Sequence, residues 1–311
     1  MESWCNALWK KWERVEARFR QIRGLRITLC PEMKCFTTFR IGGQALALLD
    51  VQNDEHLEEV VALCEENQIP WRILGRGSNI LVSDSGFKGI VLRLRGDFTD
   101  LKRLDESRVE IGAGALLKKA VEFCIQHELG GCEFLFGVPG TVGGAVLVNA
   151  GCFGGEIGNL VERVLWRNEE GQKEWKDQSE LCFSYRYSNL KRKNTVILRV
   201  VLKLFPQATE RSWEMVGTFS SLRKSAQPLE WPSAGSIFRN PPGYYAARLI
   251  EEMGFKGLRL GQAQVSPKHA NFIVNLGGAT ASQVEGLMEW IRREVYRAKG
   301  ILLENEVEVW K

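Results

Sequence analysis

Two glycine-rich stretches of this 311-residue chain have the residue types of a phosphate grip. The first is Gly75-Arg76-Gly77-Ser78-Asn79. The second is Gly137-Val138-Pro139-Gly140-Thr141-Val142-Gly143-Gly144, running on to Asn149-Ala150-Gly151. Glycine reaches backbone conformations closed to other residues and lets amides approach a ligand closely. A glycine turn that enters a helix also gathers unpaired N–H groups suited to a pyrophosphate. Each loop alone reads equally as a tight turn; two of them about sixty residues apart in one α/β region favour the ligand. Neither matches G-x-G-x-x-G, because Ile80 stands where the third glycine of the first would fall. Gly112-Ala113-Gly114 fails likewise at Leu117, and no Walker lysine follows any of these loops. A Rossmann dinucleotide fold is disfavoured.

Candidate nucleophiles and bases are few. Ser236 lies in Pro232-Ser233-Ala234-Gly235-Ser236, which is not a G-x-S-x-G elbow, and His269 is the only histidine in that half of the chain. A Ser-His-Asp hydrolase therefore fits poorly, and His269 reads as a structural histidine rather than a base. Ser188-x-x-Lys191 and Ser221-x-x-Lys224 have the penicillin-binding spacing but lack S-D-N and K-T-G partners. Arg186 is a rigid fork suited to a carboxylate or phosphate, with an ion-paired surface arginine as the simpler alternative. Eight cysteines include no C-x-x-C pair and there are three histidines, so neither a metal site nor a disulfide framework is expected.

The elements that must position these residues belong to a soluble globular chain: 44% hydrophobic, 26% charged and net +4 with the signs interspersed, which leaves no nucleic-acid footprint. The longest uncharged run, residues 134–155, carries seven glycines and Pro139, so membrane insertion is not expected. The first residues show no signal-peptide pattern, and the expected location is the cytoplasm. Residues 4–23 place Trp4, Leu8, Trp12, Val15 and Phe19 at helical spacing. Strands are expected at 45–51, 71–74, 80–83, 90–94 and 108–111, with helices from Asp54 as N-cap and over 116–128. Asn168-Glu169-Glu170-Gly171 reads as a hairpin turn, and 195–205 as a strand. Helices follow at 210–225, 244–253 and 281–299, with strands at 271–275 and 302–310.

The motifs in order resemble one family. They are Thr38-Phe39-Arg40-Ile41-Gly42-Gly43, the two glycine loops with Asn149-Ala150-Gly151, Tyr185-Arg186-x-Ser188, Pro232 to Ser236, His269-Ala270-Asn271-Phe272-Ile273-Val274-Asn275 and Leu303-Glu304-x-Glu306-Val307. The family is UDP-N-acetylenolpyruvoylglucosamine reductase, the flavoenzyme of peptidoglycan precursor synthesis, in its shorter class without a tyrosine-bearing loop. The resemblance implies an α+β protein: a two-subdomain FAD-binding region of the vanillyl-alcohol-oxidase type and a C-terminal α+β substrate domain. The implied layout is a helix at 1–24, FAD subdomains at 25–95 and 96–206, a substrate domain at 207–300 and a final strand at 301–311. FAD would be held by Arg40, Gly75, Arg76, Gly77, Ser78, Asn79, Gly137, Pro139, Gly140, Thr141, Val142, Gly143, Gly144, Asn149 and Gly151.

By the same resemblance, NADPH reduces FAD and leaves, and UDP-N-acetylglucosamine enolpyruvate then receives the hydride. Arg186 would stabilise the enolate-like charge with Glu306 beside it, and Ser236 would give the proton. Tyr185, Arg239, Asn240, His269 and Asn271 would contact substrate, and a monomer is expected. The chain departs from the family at Cys152-Phe153, Ala226 and Ala247, which bears on substrate-phosphate binding. Two alternatives stand beside this reading: a flavin oxidase or dehydrogenase of the same fold, and a nucleotide-binding protein without turnover.

Overall fold

Apolar residues at helical and alternating spacing sort the chain into two separate cores. The structure, a computed structural model, describes residues 3–192 and 194–311; the side chains of residues 3–7, and with them Trp4, lie outside the described residues. Packing interleaves the sequence. Unit 1 comprises the chain up to Leu29, Leu46–Gly75 and Gly89–Ser221, and unit 2 comprises Cys30–Ala45, Arg76–Lys88 and Leu222–Lys311. The contiguous blocks expected from the sequence are thus replaced by interleaved ones.

In unit 1, helix α1 (Ser3–Gln21) buries Trp12, Val15 and Phe19, with the Trp12 and Phe19 rings stacked at 5.3 Å. It joins a four-stranded sheet ordered Arg26–Leu29, Ala45–Val51, Phe87–Leu94, Trp71–Ile73. Helix α2 (Asp54–Glu66) turns Leu57, Val60, Val61 and Cys64 inward. Its N-cap is Asn53, whose Oδ1 accepts the His56 N–H at 2.9 Å, and Asp54 is the first helical residue instead of the cap. A five-stranded antiparallel sheet follows, ordered Lys173–Asp177, Val161–Arg167, Val196–Lys203, Arg108–Gly112, Leu101–Arg103. Its hairpin closes where expected, with Asn168 Oδ1 accepting the Gln172 N–H. Helices α3 (Leu117–Gln126) and α4 (Val142–Leu147) flank the second glycine loop, which follows a 3₁₀ turn at Glu133–Leu135 and not a strand.

Helix α5 (Thr209–Ala226) begins in unit 1 and ends in unit 2, so the boundary falls inside it and not at Pro206. The physical reason is Glu133. This buried carboxylate accepts from Ser212 Oγ at 2.8 Å, Gln207 Nε2 at 2.7 Å and the Gly131 N–H at 2.8 Å, and Val216 enters the unit 1 core.

Unit 2 contains helices α6 (Ala246–Glu252) and α7 (Ala281–Lys299) and an antiparallel meander, Arg259–Leu260, Ala263–Val265, Ile273–Asn275. The final strand is only Glu308–Trp310, parallel to Ile80–Val82, so Glu306 precedes it; the expected strand over 302–310 is otherwise irregular. Helix α7 has the predicted bounds because both ends are coded locally. Thr280 and Gln283 form a capping box, and Gly300 takes the left-handed conformation at φ +68°. Among the described residues no helix is long and apolar enough to cross a membrane.

Asp84 adds a second cap to α7, accepting the N–H groups of Ala281 (2.6 Å) and Ser282 (2.9 Å) and the Ser282 hydroxyl. Burial alone would raise its carboxyl, but the bonds from Ser282 and Ala281 outweigh that and hold it below the usual carboxylate range. A depressed folded pKa contributes stability above the unfolded value of about 4, lost as pH falls through the folded one. We expect Asp84→Asn to cost about 1 kcal/mol or less at pH 7, since solvent reaches the group. Thermal melts should show the gap to wild type closing below about pH 4; a gap independent of pH would refute the charge argument.

Candidate active site

Five of the sequence motifs interlock by hydrogen bonds in unit 2. Thr38 donates its N–H to Gly77 O (3.0 Å) and its hydroxyl to Ser233 O (2.7 Å), so one residue joins the 38–43, 75–79 and 232–236 segments. Asn275 Nδ2 donates to Phe39 O at 3.0 Å, and Asn79 Nδ2 donates to Glu306 O at 3.2 Å. Gly77, at φ +66°, admits no side chain: a Cβ there would lie 2.2 Å from Phe36 O.

Ser236 sits in a loop with no strand of its own, held from both sides. It pairs antiparallel with Phe272, while Phe238 pairs with Asn305. The Ile237 N–H donates to Asn271 O at 2.9 Å, and Ile237 O accepts the Glu306 N–H at 2.8 Å. Ser236 and Glu306, seventy positions apart, are thereby brought into neighbouring backbone positions. The Ser236 hydroxyl is half-buried and makes no hydrogen bond to another described residue. Asn271, read from the sequence as a substrate contact, instead spends its amide on Phe238, accepting its N–H (3.0 Å) and donating to its carbonyl (2.7 Å). It positions the Ser236 loop. Asn240 Oδ1 accepts the Ala246 N–H at the start of α6, and Arg239 lies 3.9 Å from Glu304.

His269 is neutral at pH 7. Burial lowers its pKa and outweighs a backbone hydrogen bond that raises it; the Lys256 charge pushes the same way as burial, with Glu251 opposing. Its Nδ1 lies 3.3 Å from the Asn271 N–H and accepts it, so the proton sits on Nε2. The ring meets Phe272 edge to face at 4.8 Å.

The remaining motifs interlock in unit 1. Asn149, buried and left-handed at φ +45°, donates to Glu156 Oε2 and Ser184 O and accepts the Gly158 N–H, each at 2.9 Å. Ser188 Oγ donates to Leu147 O at 2.8 Å. Arg186, itself at φ +55°, donates from Nη2 to Gly151 O at 3.0 Å and stands over the Tyr185 ring at 5.1 Å. The departure at Cys152-Phe153 has a structural counterpart: Cys152 Sγ donates to Phe134 O, and the Phe153 ring stacks on Phe219 at 5.0 Å. Arg186 and Tyr185 belong to unit 1, and Ser236, Glu306, Asn240, Arg239, His269 and Asn271 to unit 2.

The residues present fit an anionic cofactor. Gly75 touches the second loop, since a Cβ there would lie 2.7 Å from Thr141 Oγ1. The backbone N–H groups of Gly137, Gly140 and Thr141 bond to no other described residue, leaving three donors on one loop. Among the described residues no group of three or more histidine, cysteine or acidic side chains could hold a metal. Burial raises the Cys64 thiol, and a hydrogen bond shared with Cys124, together with burial, raises Cys132, so neither is a nucleophile at neutral pH.

The pins on this scaffold, Thr38, Asn271 and Asn275, went unread as such in the sequence. For Asn271 and Asn275 the one signal is an amide closing each end of the apolar run Phe272-Ile273-Val274.

Residues 227–310 match the family model for the C-terminal domain of UDP-N-acetylenolpyruvoylglucosamine reductase, and residues 45–167 match an FAD binding domain. The chain is 42% identical over 287 residues to UDP-N-acetylenolpyruvoylglucosamine reductase 2 of Symbiobacterium thermophilum, covering 92% of each chain. It is 43% identical to the reductase of Moorella thermoacetica, over 88% of this chain and 90% of that one. The crystal structure of the Thermus caldophilus reductase superposes with a TM-score of 0.78 at 39% identity, covering 92% of this chain and 99% of that one. The α+β flavin-binding fold expected from the sequence is borne out.

Asn271→Ala should leave the Phe238 N–H and carbonyl buried and unpaired. The expected cost is about 2–4 kcal/mol, read as a fall in melting temperature with and without added FAD. An unchanged melting temperature would mean that the loop does not need this clamp.

Proposed function

The chain belongs to the UDP-N-acetylenolpyruvoylglucosamine reductase family, and from that premise we propose that it reduces the enolpyruvyl ether of UDP-N-acetylglucosamine enolpyruvate to the lactyl ether of UDP-N-acetylmuramate. The electrons come from NADPH by way of FAD, in the cytoplasmic supply of peptidoglycan precursors. The observation that carries this reading is the backbone pairing that sets Ser236 beside Glu306 in unit 2. A flavin oxidase or a non-catalytic nucleotide binder has no need of that pair.

When bound, FAD supplies two-electron hydride chemistry. In this reading the loop at 137–144 and Gly75 hold its pyrophosphate through the open N–H groups of Gly137, Gly140 and Thr141. The double bond of the substrate takes up a hydride at C3 and a proton at C2, so one hydride and one proton saturate one C=C. Between those events negative charge rests on C2 and the adjoining carboxylate. A fixed guanidinium lowers the cost of that charge, which is the role proposed for Arg186; its anchorage to Gly151 O and its stacking on Tyr185 favour a pre-set geometry.

Ser236 is the proposed proton donor to C2. Its hydroxyl is committed to no described residue, and the Asn271 clamp on the adjoining backbone limits its wander. An alcohol is a weak acid, so the developing carbanion must be strongly basic or the departing charge must be shared. Glu306 is proposed to share it, acting as a hydrogen-bonded partner near the serine, since a bare carboxylate would repel the enolate. Neutral His269, with its proton on Nε2, is proposed as a donor to the substrate.

Stopped-flow measurement of the two half-reactions tests this assignment. Ser236→Ala should leave flavin bleaching by NADPH close to wild type while slowing reoxidation by the enolpyruvyl sugar nucleotide at least about 100-fold. Arg186→Ala should slow the same second step by a similar factor, about 3 kcal/mol. Equal loss in both half-reactions of Ser236→Ala would make the serine structural. Absence of turnover in the wild-type, FAD-loaded chain would refute the reductase assignment.

A further inference from the structure

Arg186 stands on a backbone that an arginine does not prefer. Ser184 and Tyr187 exchange both of their backbone bonds, Tyr187 N–H to Ser184 O at 3.0 Å and Ser184 N–H to Tyr187 O at 3.1 Å, so Tyr185 and Arg186 are the two residues of a tight turn. The second of them, Arg186, is left-handed at φ +55°, a conformation that glycine would take at no cost. Two more non-glycine residues in that region belong to the same cluster of hydrogen bonds. Asn149 is at φ +45°, and Phe153, at φ +52°, begins the two-residue turn of the hairpin that pairs Gly151 with Glu156. Three of the eight non-glycine residues with positive φ among the described residues thus fall in one knot of chain. Strain of this kind persists where the surroundings over-determine it, and it gathers at functional sites.

The surroundings here form a closed ring of bonds. Asn149 Nδ2 has two hydrogens and gives one to Ser184 O, the carbonyl that closes the arginine turn, and the other to Glu156 Oε2, each at 2.9 Å. Glu156 pairs through its backbone with Gly151. Gly151 O accepts from Arg186 Nη2 at 3.0 Å, which returns the ring to the turn. The backbone of Arg186 and its guanidinium are therefore tied to the same amide by two routes. That amide has one way to sit: its nitrogen faces a carboxylate and a carbonyl, which accept, and its oxygen accepts the Gly158 N–H at 2.9 Å. A side chain at 158 would spoil this, since a Cβ there would lie 2.8 Å from Asn149 Oδ1. Asn149 is 1% exposed, so water offers these bonds no replacement.

We propose that Asn149 is a positioning residue for the reduction step: held by Glu156, it fixes the place of the Arg186 guanidinium and acts through it. The inference rests on the reductase reading above, in which that guanidinium meets the charge on C2 and the adjoining carboxylate. A cation already in place lowers the cost of that charge, and a misplacement of about 1 Å can cost about 100-fold in rate. Asn149, expected from the sequence among the FAD contacts, spends both amide hydrogens on the protein.

The test uses the full FAD-loaded chain with Asn149→Asp, Glu156→Ala and Glu156→Gln, a thermal melt checking each fold. Aspartate keeps the size of asparagine and tolerates a left-handed backbone. It has at most one hydrogen to give, so Glu156 and Ser184 O cannot both be met. Reoxidation of the reduced flavin by the enolpyruvyl sugar nucleotide should slow about 30-fold in Asn149→Asp, while bleaching by NADPH stays within about twofold of wild type. Glu156→Ala should slow the same step about tenfold, and Glu156→Gln, which still offers an oxygen to the amide, about threefold. Placed on Arg186→Ala, Asn149→Asp should add less than about twofold, because nothing is left to position. A loss that multiplies in the double variant overturns the inference, as does an equal slowing of both half-reactions. If Asn149→Asp does not fold, Glu156→Ala in the same two backgrounds decides the matter. Labelling of Arg186 by phenylglyoxal, a reagent for guanidinium groups, followed by mass spectrometry reads the anchorage apart from turnover. It should run about fivefold faster in Asn149→Asp, and an unchanged rate overturns the inference. If the wild-type chain turns over no sugar nucleotide, the reductase reading falls, and the labelling alone decides whether Asn149 holds Arg186.

Discussion

Buried backbone without regular structure must find its hydrogen bonds elsewhere, and unit 2 meets that demand with a handful of side chains. The segments at 38–43, 75–79, 232–240 and 303–307 have almost no helix or strand of their own. Thr38, Asn79, Asn271 and Asn275 supply the partners that a ladder would otherwise give. An unpaired buried amide costs about 1–3 kcal/mol, so each pin both stabilises the loops and excludes other arrangements of them. The chemistry proposed for Ser236 and Glu306 depends on that exclusion. A hydroxyl that must deliver a proton to one carbon cannot sit on a loop free to move by a bond length. Unit 1 uses the same device at Asn149, whose whole amide joins the 149–151, 156–158 and 184–188 segments.

The long periodic elements were legible because their signals are local. Strand Ala45–Val51 and helix α7 fall where the apolar pattern and caps put them, and the Asn168 hairpin closes as its turn residues dictate. The misses have local causes too. Asn53 takes the cap of α2 since its amide oxygen reaches the His56 N–H, a choice between adjacent residues that composition leaves open. Strand Glu308–Trp310 is short because residues before it pair one at a time with Phe238 and with Asn79, a non-local bond no window can see. The division into interleaved units was hidden for the same reason. Nothing in residues 30–45 or 76–88 announces that their apolar members, Phe39, Ile41 and Leu81, belong with a core more than a hundred positions downstream.

The candidate site was legible as residue types and not as geometry. Glycine loops, Ser236, Glu306 and Arg186 could be named from motifs, whereas their supports could not. Asn271 shows the difference most clearly, since a polar residue close to the serine proposed as proton donor suggests ligand contact until its amide is found closed on Phe238.

The parallel pairing of Ile80–Val82 with Glu308–Trp310 sets an order of events during synthesis. Residues 30–45 and 76–88 leave the ribosome early, yet the rest of the unit to which they belong is encoded after residue 221. At about 5–20 residues per second, the early apolar strand waits tens of seconds for its partner, while unit 1 already has every residue it needs once position 221 has emerged. The nascent chain must keep Phe39, Ile41 and Leu81 shielded through that interval.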